Sequence, residues 1–175
     1  MRARLARAIS QSIDRVNMME RTSDTIEAAM TASAEALGYD KLTRNQSKVL
    51  RSFLSGSDVF ASLPTGSGKS LCYWVLPGAF DMLRKTDTSI VLVVSPLIAL
   101  MKDQVERLKV KRMKAVYGGD QCEMDRVYEG HYQMIFLSPE SLLTTNKWRD
   151  ILLSDVYQRN LIAVVIDEAH CVKKW

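Results

Sequence analysis

Two short, continuous apolar segments constrain the fold of this chain more than any other feature. Residues 90–94 read Ile-Val-Leu-Val-Val, and residues 161–166 read Leu-Ile-Ala-Val-Val-Ile. Strands that are apolar on both faces belong in a sheet that is covered on both sides, which is the usual environment of parallel strands. A helix that crosses a membrane needs about 20 apolar residues, so neither segment is long enough to be one.

Helical patterns alternate with these strands and with weaker ones. The sequence predicts helices over residues 24–37, 45–54, 69–75, 97–108 and 148–157, and further strands over residues 59–63, 115–117 and 133–137. We expect Asp24 to cap the first helix and Pro77 to interrupt the third. This alternation predicts an α/β fold in which a parallel sheet is sandwiched by helices.

The charge and the cysteines narrow the classes of protein that fit the chain. Lys and Arg number 24 against 20 Asp and Glu, and the resulting charge of +4 is compatible with nucleic acid without requiring it. Cys72, Cys122 and Cys171 are odd in number and form no Cys-x-x-Cys pair. This pattern argues against a disulfide framework and against a zinc site, and it favours reduced thiols in an intracellular protein.

A glycine-rich segment follows the predicted strand 59–63 and precedes the predicted helix 69–75. It reads Thr65-Gly66-Ser67-Gly68-Lys69-Ser70. In this position glycines let the backbone curl so that its N–H groups surround phosphate oxygens, as in a P-loop. Lys69 then reaches the β- and γ-phosphates, and the Ser70 hydroxyl is a ligand for Mg²⁺. The P-loop pattern expects glycine where Leu63 stands, so the match is incomplete.

Two adjacent carboxylates follow the most apolar strand of the chain. Asp167 and Glu168 come directly after residues 161–166. Because ligands bind at the carboxyl ends of parallel strands, Asp167 is expected beside the P-loop, where it holds Mg²⁺. Glu168 is expected to orient or deprotonate an attacking water. An isolated Asp-Glu pair also fits a solvated turn, but the upstream P-loop favours the catalytic interpretation.

Together with His170, these residues form the sequence Asp-Glu-Ala-His, and the chain from residue 38 to 175 resembles the first motor domain of RecQ-like superfamily-2 DNA helicases. Three further segments carry the resemblance: the P-loop with Leu-Cys-Tyr after it, residues 93–104 (Val-Val-Ser-Pro-Leu-Ile-Ala-Leu-Met-Lys-Asp-Gln), and residues 136–140 (Phe-Leu-Ser-Pro-Glu). The resemblance implies a RecA-like P-loop NTPase domain that uses ATP and Mg²⁺. It places Lys69, Asp167, Glu168 and His170 in catalysis.

The resemblance also implies an adenine site upstream of the P-loop. Tyr39 would stack on adenine, and Gln46 would bond its amino edge, because a carboxamide both donates and accepts. Residues 42–44 read Leu-Thr-Arg, which departs from the family's aromatic-arginine pair. Arg44 lies one place from the expected arginine, so Gln46 is a stronger candidate for the adenine contact than any arginine, and Gln46 favours ATP over GTP. The cofactor-binding residues are then Tyr39, Gln46, Thr65, Gly66, Ser67, Gly68, Lys69 and Ser70.

DNA is the partner that the resemblance implies, as single strands or duplex junctions, with 3′ to 5′ movement. The implied contacts lie where two predicted strands give way to helices, at Ser95, Pro96, Leu97, Ser138 and Pro139, with Lys102 nearby. Exposed N–H groups at such positions suit phosphates. Read without the resemblance, the two Ser-Pro pairs are equally ordinary helix N-caps.

The predicted organisation is a helical extension over residues 1–37 and an ATP-binding domain over residues 38–175. Since the family's second motor domain and arginine finger are absent, we expect a fragment with weak hydrolysis. Two alternatives remain: a binding module without turnover, and a small P-loop phosphotransferase, which residues 93–104 and 166–170 oppose. An intracellular location is expected, and the resemblance implies a nuclear one for a eukaryotic member.

Overall fold

The computed structural model describes residues 22–119 and 122–169, and these divide into two units, one of residues 22–89 and one of residues 90–169. Residues 1–21 of the predicted extension therefore lie outside the described residues, as do His170 and the residues that follow it. None of the described helices has the length and apolarity that a membrane-crossing helix requires.

The unit of residues 22–89 is built from four helices. They are α1 (Ser23–Ala36), α2 (Arg44–Leu54), α3 (Leu71–Trp74) and α4 (Leu76–Arg84). Helix α1 packs most extensively against α4, where the Ser33 hydroxyl donates to the Val75 carbonyl at 2.8 Å. A Cβ atom at Gly78 would lie 2.5 Å from the Ser33 oxygen, so this close approach of the two helices requires glycine.

The starts of these helices differ in part from the prediction. Thr22 rather than Asp24 caps α1, because its side chain accepts a hydrogen bond from the Thr25 N–H. Thr43 caps α2 in a capping box, in which the Gln46 side chain accepts in return from the Thr43 N–H. Pro77 stands in the first turn of α4, so it opens a second helix that the sequence did not predict.

The second unit contains a four-stranded sheet in which every pair of neighbours is parallel. Its strands are β1 (Ile90–Val94), β2 (Ala115–Tyr117), β3 (Met134–Leu137) and β4 (Leu161–Ile166), in the order β2-β3-β1-β4. Its helices are α5 (Ile98–Val110), α6 (Met124–Tyr128), α7 (Pro139–Thr144), α8 (Asn146–Leu153) and α9 (Asp155–Asn160). The predicted α/β class with a parallel sheet is confirmed.

Helices cover both faces of this sheet. One face buries Ile90, Leu92 and Ile135 against a cluster that includes Trp148 and Tyr157, from α8 and α9. Helix α5 packs against β2 and β3 and contributes Met101 and Leu108 to the core. The crossover β1–α5–β2 runs one way along the sheet and β3–α9–β4 runs the other, so right-handed crossovers place these helices on opposite faces.

Two predicted elements are wrong. Residues 59–63 form no strand: the described sheet offers them no partner, and Phe60 is 85% exposed. Apolar composition alone does not make a strand where no ladder of hydrogen bonds is available. The predicted helix 148–157 is two helices, because Ser154 is extended, with φ −68° and ψ 154°, and its hydroxyl donates to the Ile151 carbonyl.

Other differences concern boundaries and short elements. The predicted helix 69–75 begins at Leu71, and α5 begins at Ile98 and ends at Val110. The short helices α6 and α7 were not predicted, because five and six residues show too little periodicity. Within its unit, α1 packs on α4 and α2, and the predicted boundary at residue 38 stays a prediction.

Candidate nucleotide-binding site

The backbone of the glycine-rich segment forms a cluster of unengaged N–H groups. Gly66 and Gly68 have left-handed φ angles of 79° and 75°, whereas their neighbours Thr65, Ser67 and Lys69 do not have positive φ angles. Ser67 donates to the Pro64 carbonyl at 3.2 Å, which closes the turn. Within the described residues, the N–H groups of Gly66, Gly68, Lys69 and Ser70 donate no hydrogen bond. Alternating right- and left-handed residues with free N–H groups form an anion-binding nest.

Two side chains of the segment add to this nest. The Lys69 ammonium donates to the Leu63 carbonyl at 3.3 Å, so it lies over the loop itself. The Ser67 hydroxyl is buried and has no hydrogen-bond partner among the described residues. A buried hydroxyl without a partner is costly, and an incoming acceptor would relieve that cost. The segment therefore offers N–H, O–H and ammonium donors to an anion, which fits a polyphosphate.

Gln46 is the side chain that joins the predicted adenine segment to the P-loop. It is 5% exposed, and its Nε2 donates to the carbonyls of Ser67 at 3.2 Å and Gly68 at 3.1 Å. Its Oε1 accepts from the Thr43 N–H at 2.8 Å. The carboxamide thus holds the P-loop to the start of α2. Contact between Gln46 and adenine stays a prediction.

The other predicted nucleotide residues lie in the same unit. Tyr39 is half-buried, and its N–H donates to the Ala34 carbonyl at 3.0 Å, just after Gly38 with φ 80°. Thr65 is exposed at the start of the loop, and Ser70 is half-buried directly before α3. The stacking of Tyr39 on adenine remains a prediction.

The predicted carboxylates lie at the carboxyl end of β4. The Asp167 N–H donates to the Val94 carbonyl at 2.9 Å and extends the pairing of β4 with β1. Asp167 and Glu168 are both half-buried. Glu168 has a left-handed φ of 58°, which is uncommon for a residue with a Cβ atom and occurs often at functional sites. His170 lies outside the described residues.

The structure brings two of the predicted DNA residues to the same edge as Asp167. The Ser95 N–H donates to the Leu137 carbonyl at 3.0 Å, so Ser95 and Ser138 follow neighbouring strands. Ser138 is the N-cap of α7, and its hydroxyl accepts from the Ser141 N–H at 3.2 Å. The hydroxyl of Ser95 is buried and without a partner among the described residues. Neither N-cap geometry nor burial tests the DNA contacts, which stay predictions.

The remaining predicted DNA residues differ in exposure. Leu97 is 53% exposed and Pro139 is buried, whereas Pro96 is half-buried. Lys102 is exposed on α5, and its ammonium lies 5.7 Å from the centre of the Tyr117 ring. This cation–π contact fixes Lys102 beside the end of β2.

A magnesium site made of Ser70 and Asp167 stays a prediction, since each residue belongs to a different unit. Their hydroxyl and carboxylate oxygens are ligands that Mg²⁺ accepts. The described residues contain no group of three or more His, Cys, Asp or Glu side chains placed for a metal. A Mg²⁺ ion held by one or two protein oxygens, with water and phosphate completing its shell, fits this donor set.

Two features of the site were not predicted from the sequence. The pattern Thr43-x-x-Gln46 is a capping box in the sequence, yet it was not used to predict the bond between these residues. The left-handed backbone of Glu168 had no sequence signal.

The fold and the site together define a nucleotide-binding α/β domain of the P-loop class. The DEAD/DEAH box helicase family matches residues 43–175, which is most of the chain. The chain therefore belongs to the DEAD/DEAH box helicase family.

Its relatives within this family include RecQ-type proteins. It is 32% identical to the ATP-dependent DNA helicase RecQ of Haemophilus influenzae over 154 residues, which is 84% of this chain and 23% of that protein. It is 36% identical to the probable ATP-dependent DNA helicase RecS of Bacillus subtilis over 79% of this chain and 27% of that protein. The RecQ-like resemblance is confirmed, and the chain spans about a quarter of the length of these two relatives.

A solved structure shows the same fold. The crystal structure of the DUF1998 helicase MrfA, bound to DNA and AMPPNP, matches with a TM-score of 0.62 and 22% sequence identity. The match covers 86% of this chain and 22% of MrfA. At this identity the likeness supports the RecA-like fold alone.

Proposed function

We propose that this chain is the ATP-binding motor domain of a RecQ-like DNA helicase. The observation that carries the proposal is the set of unengaged N–H groups at Gly66, Gly68, Lys69 and Ser70. Four nearby backbone donors without acceptors, in a loop with alternating left-handed residues, suit an anion with several oxygens. The family and the RecQ-type relatives supply the reason to name that anion as the triphosphate of ATP.

Each group of the site then has a role in hydrolysis. The nest and Lys69 hold the phosphates and stabilise the charge that develops as the terminal phosphoryl group leaves. The Ser70 hydroxyl, directly before α3, would be a ligand for Mg²⁺, and the ion would neutralise part of the charge of the phosphates. Glu168 accepts the proton of the attacking water.

We extend the proposal to the coupling of hydrolysis to DNA. At the carboxyl edge of the second unit, Ser138 follows β3, Ser95 follows β1 and Asp167 follows β4, and these three strands are neighbours in the sheet. A DNA strand at Ser95 and Ser138 would therefore lie next to the strand that ends in the catalytic carboxylates. We propose 3′ to 5′ movement by resemblance, with an intracellular location, and with a second motor domain needed for translocation.

The test is ATP hydrolysis with and without single-stranded DNA. It is run on this chain and on a longer protein in which a second motor domain follows. We expect DNA to stimulate the longer protein and Lys69→Ala to reduce its rate by about 10- to 100-fold, since a charge-assisted hydrogen bond contributes roughly 1.5–3 kcal/mol. Glu168→Gln should lower the rate by about 10²–10⁴-fold by removing the general base.

Lys48→Ala is the matched control, because Lys48 is exposed on α2 in the same unit as Lys69. It should hydrolyse ATP at the rate of the unmodified protein. Hydrolysis that DNA does not change would contradict the helicase assignment. Transfer of phosphate to a small acceptor in preference to water would favour a phosphotransferase instead.

A further inference from the structure

A groove of about 1020 Å³ lies beside β2 in the second unit. Strand β2 is the first strand of the sheet, and among the described residues it pairs with β3 alone. Helix α5 forms one wall through Ile98 and Val105, and α6 contributes Arg126 to the opposite side. The groove therefore runs along an open sheet edge.

The backbone of β2 presents unused hydrogen-bonding groups to this groove. The Lys114 carbonyl accepts from the Gln133 and Met134 N–H groups at 2.8 and 3.1 Å, and the Gly118 N–H donates to the Phe136 carbonyl at 2.9 Å. Backbone groups alternate in direction along a strand, so those of Ala115 and Tyr117 point away from β3. Neither residue forms a further hydrogen bond among the described residues.

The groove has an excess of positive charge at its described residues. Glu106 and Glu123 line it, but Glu106 is paired with Lys109 at 2.8 Å and Glu123 with Arg126 at 3.1 Å. The exposed Lys102 and Lys114 also line it, and among the described residues neither has a carboxylate partner.

These two lysines bracket the strand. Lys114 directly precedes β2, and Lys102 lies over the ring of Tyr117 at the other end of it. Tyr117 is three positions after Lys114 in extended chain, which corresponds to about 10 Å.

We propose that the edge of β2 binds an acidic, extended peptide segment of a partner protein, which adds to the sheet as a further strand. The backbone of Ala115 and Tyr117 would pair with the peptide backbone, as in other cases of strand addition. Lys102 and Lys114 would pair with carboxylates near the two ends of the segment. Apolar residues between those carboxylates would contact Ile98, Val105 and Val116, which line the groove.

Three observations favour a peptide over a nucleic acid. A nucleic-acid strand has no alternating N–H and C=O groups to match the outward groups of Ala115 and Tyr117. Stacking of a base needs an open aromatic face, but Lys102 already lies over the Tyr117 ring. The carboxylates Glu106 and Glu123 are also interspersed with the cations of the groove, whereas a bound strand of DNA would require a continuous basic track.

The probe for the test is a fluorescein-labelled peptide of about eight residues with Asp at both ends and alternating Val and Thr between them. We expect it to bind the chain and to slow the amide hydrogen exchange of Ala115 and Tyr117. The same peptide with Asn at both ends should bind less tightly. Lys114→Glu should weaken binding of the acidic peptide by about fivefold or more, because one attraction becomes a repulsion.

Arg159→Glu is the control, because it makes the same change of charge on an exposed position of α9, outside the groove. Its affinity for the peptide should equal that of the unmodified chain. Absence of binding, or equal loss in Lys114→Glu and Arg159→Glu, would overturn the proposal. So would a thymidine oligonucleotide that protects Ala115 and Tyr117 and loses affinity in Lys114→Glu, or self-association of the chain that Lys114→Glu abolishes.

Discussion

Gln46 serves two structural purposes through one carboxamide group. Its oxygen completes the capping box of α2, and its nitrogen holds two carbonyls of the P-loop, those of Ser67 and Gly68. The conformation of the P-loop therefore depends on a residue about twenty positions upstream. If Gln46 also bonds adenine, nucleotide binding must exchange or extend these hydrogen bonds.

We predict that Gln46→Glu weakens nucleotide binding while it preserves the start of α2. A glutamate still accepts from the Thr43 N–H, but it cannot donate to the carbonyls of Ser67 and Gly68. The loss of these bonds should reduce the free energy of unfolding by about 1–3 kcal/mol. Urea denaturation and titration with a fluorescent ATP analogue measure the two effects. Unchanged stability and affinity would show that the contacts with the P-loop contribute little.

Alanine substitutions at Gly66 and Gly68 separate the effect of backbone strain from the effect of steric crowding. Both have left-handed φ angles, but a Cβ atom at Gly68 would lie 2.7 Å from the Gln46 Nε2, while one at Gly66 meets nothing within 4 Å. We predict that Gly66→Ala costs roughly 1–2 kcal/mol from its backbone conformation alone. Gly68→Ala should cost more, since it also displaces Gln46. Equal changes in the midpoint of urea denaturation would contradict this difference.

The residue types of the site could be predicted from the sequence, but their present contacts could not. The order of Gly66, Gly68, Lys69 and Ser70 predicts a phosphate loop without any structure. The bond of Lys69 to the Leu63 carbonyl and the buried, unpartnered hydroxyl of Ser67 depend on how the loop packs. Such packing leaves no periodic signal in a sequence.

At the scale of elements, Tyr157 ties α9 to α6 through a buried hydrogen bond. Its hydroxyl donates to the Val127 carbonyl at 2.7 Å, and burial raises the pKa of this hydroxyl well above its usual value. We predict that Tyr157→Phe reduces the free energy of unfolding by about 0.5–1.5 kcal/mol, because it removes this hydrogen bond while the Val127 carbonyl still accepts from the Gly130 N–H. Denaturation in urea measures this change.

Tyr128→Phe is the control for this substitution. Tyr128 is 42% exposed at the end of α6, so its hydroxyl keeps its contact with water in both states. Removal of that hydroxyl should change the stability by less than about 0.5 kcal/mol. A similar loss in both variants would mean that the bond between Tyr157 and Val127 does not stabilise the unit.

The buried thiol of Cys72 in α3 makes the free energy of unfolding depend on pH in the alkaline range. Burial raises the pKa of its thiol from 9.0 to about 11, with a smaller opposing effect from a backbone hydrogen bond. Because the pKa of the thiol is higher in the folded state than in the unfolded state, the stabilisation that the neutral Cys72 thiol provides is complete below pH 9. It is lost as the pH rises towards 11. We predict that the difference in stability between the unmodified chain and Cys72→Ala narrows over that range. A constant difference would contradict the burial of the thiol.

Elements were predictable where pairing or periodicity was strong. Strands β1 and β4 are apolar on both faces, and they were located to the residue. Residues 59–63 are apolar as well, but a strand depends on a hydrogen-bonded neighbour, which composition does not report. The break at Ser154 was missed because the apolar pattern continues through it into α9.

At the scale of the whole molecule, the alternation of strands and helices determined the class of fold. The sequence predicted a parallel sheet between helices but gave no strand order, because β2-β3-β1-β4 follows from the direction of each crossover. The membership in the DEAD/DEAH box helicase family rests on residues 43–175, and the activity of the whole protein remains our proposal.

The central claim is that residues 65–70 bind the phosphates of ATP, and isothermal titration of the chain with ATP and Mg²⁺ tests it most directly. Lys69→Ala and Lys48→Ala are titrated in parallel. We predict that the unmodified chain and Lys48→Ala bind ATP equally well, and that Lys69→Ala binds it about 10- to 100-fold more weakly. Equal affinity in all three proteins, or no binding by the unmodified chain, would contradict the claim.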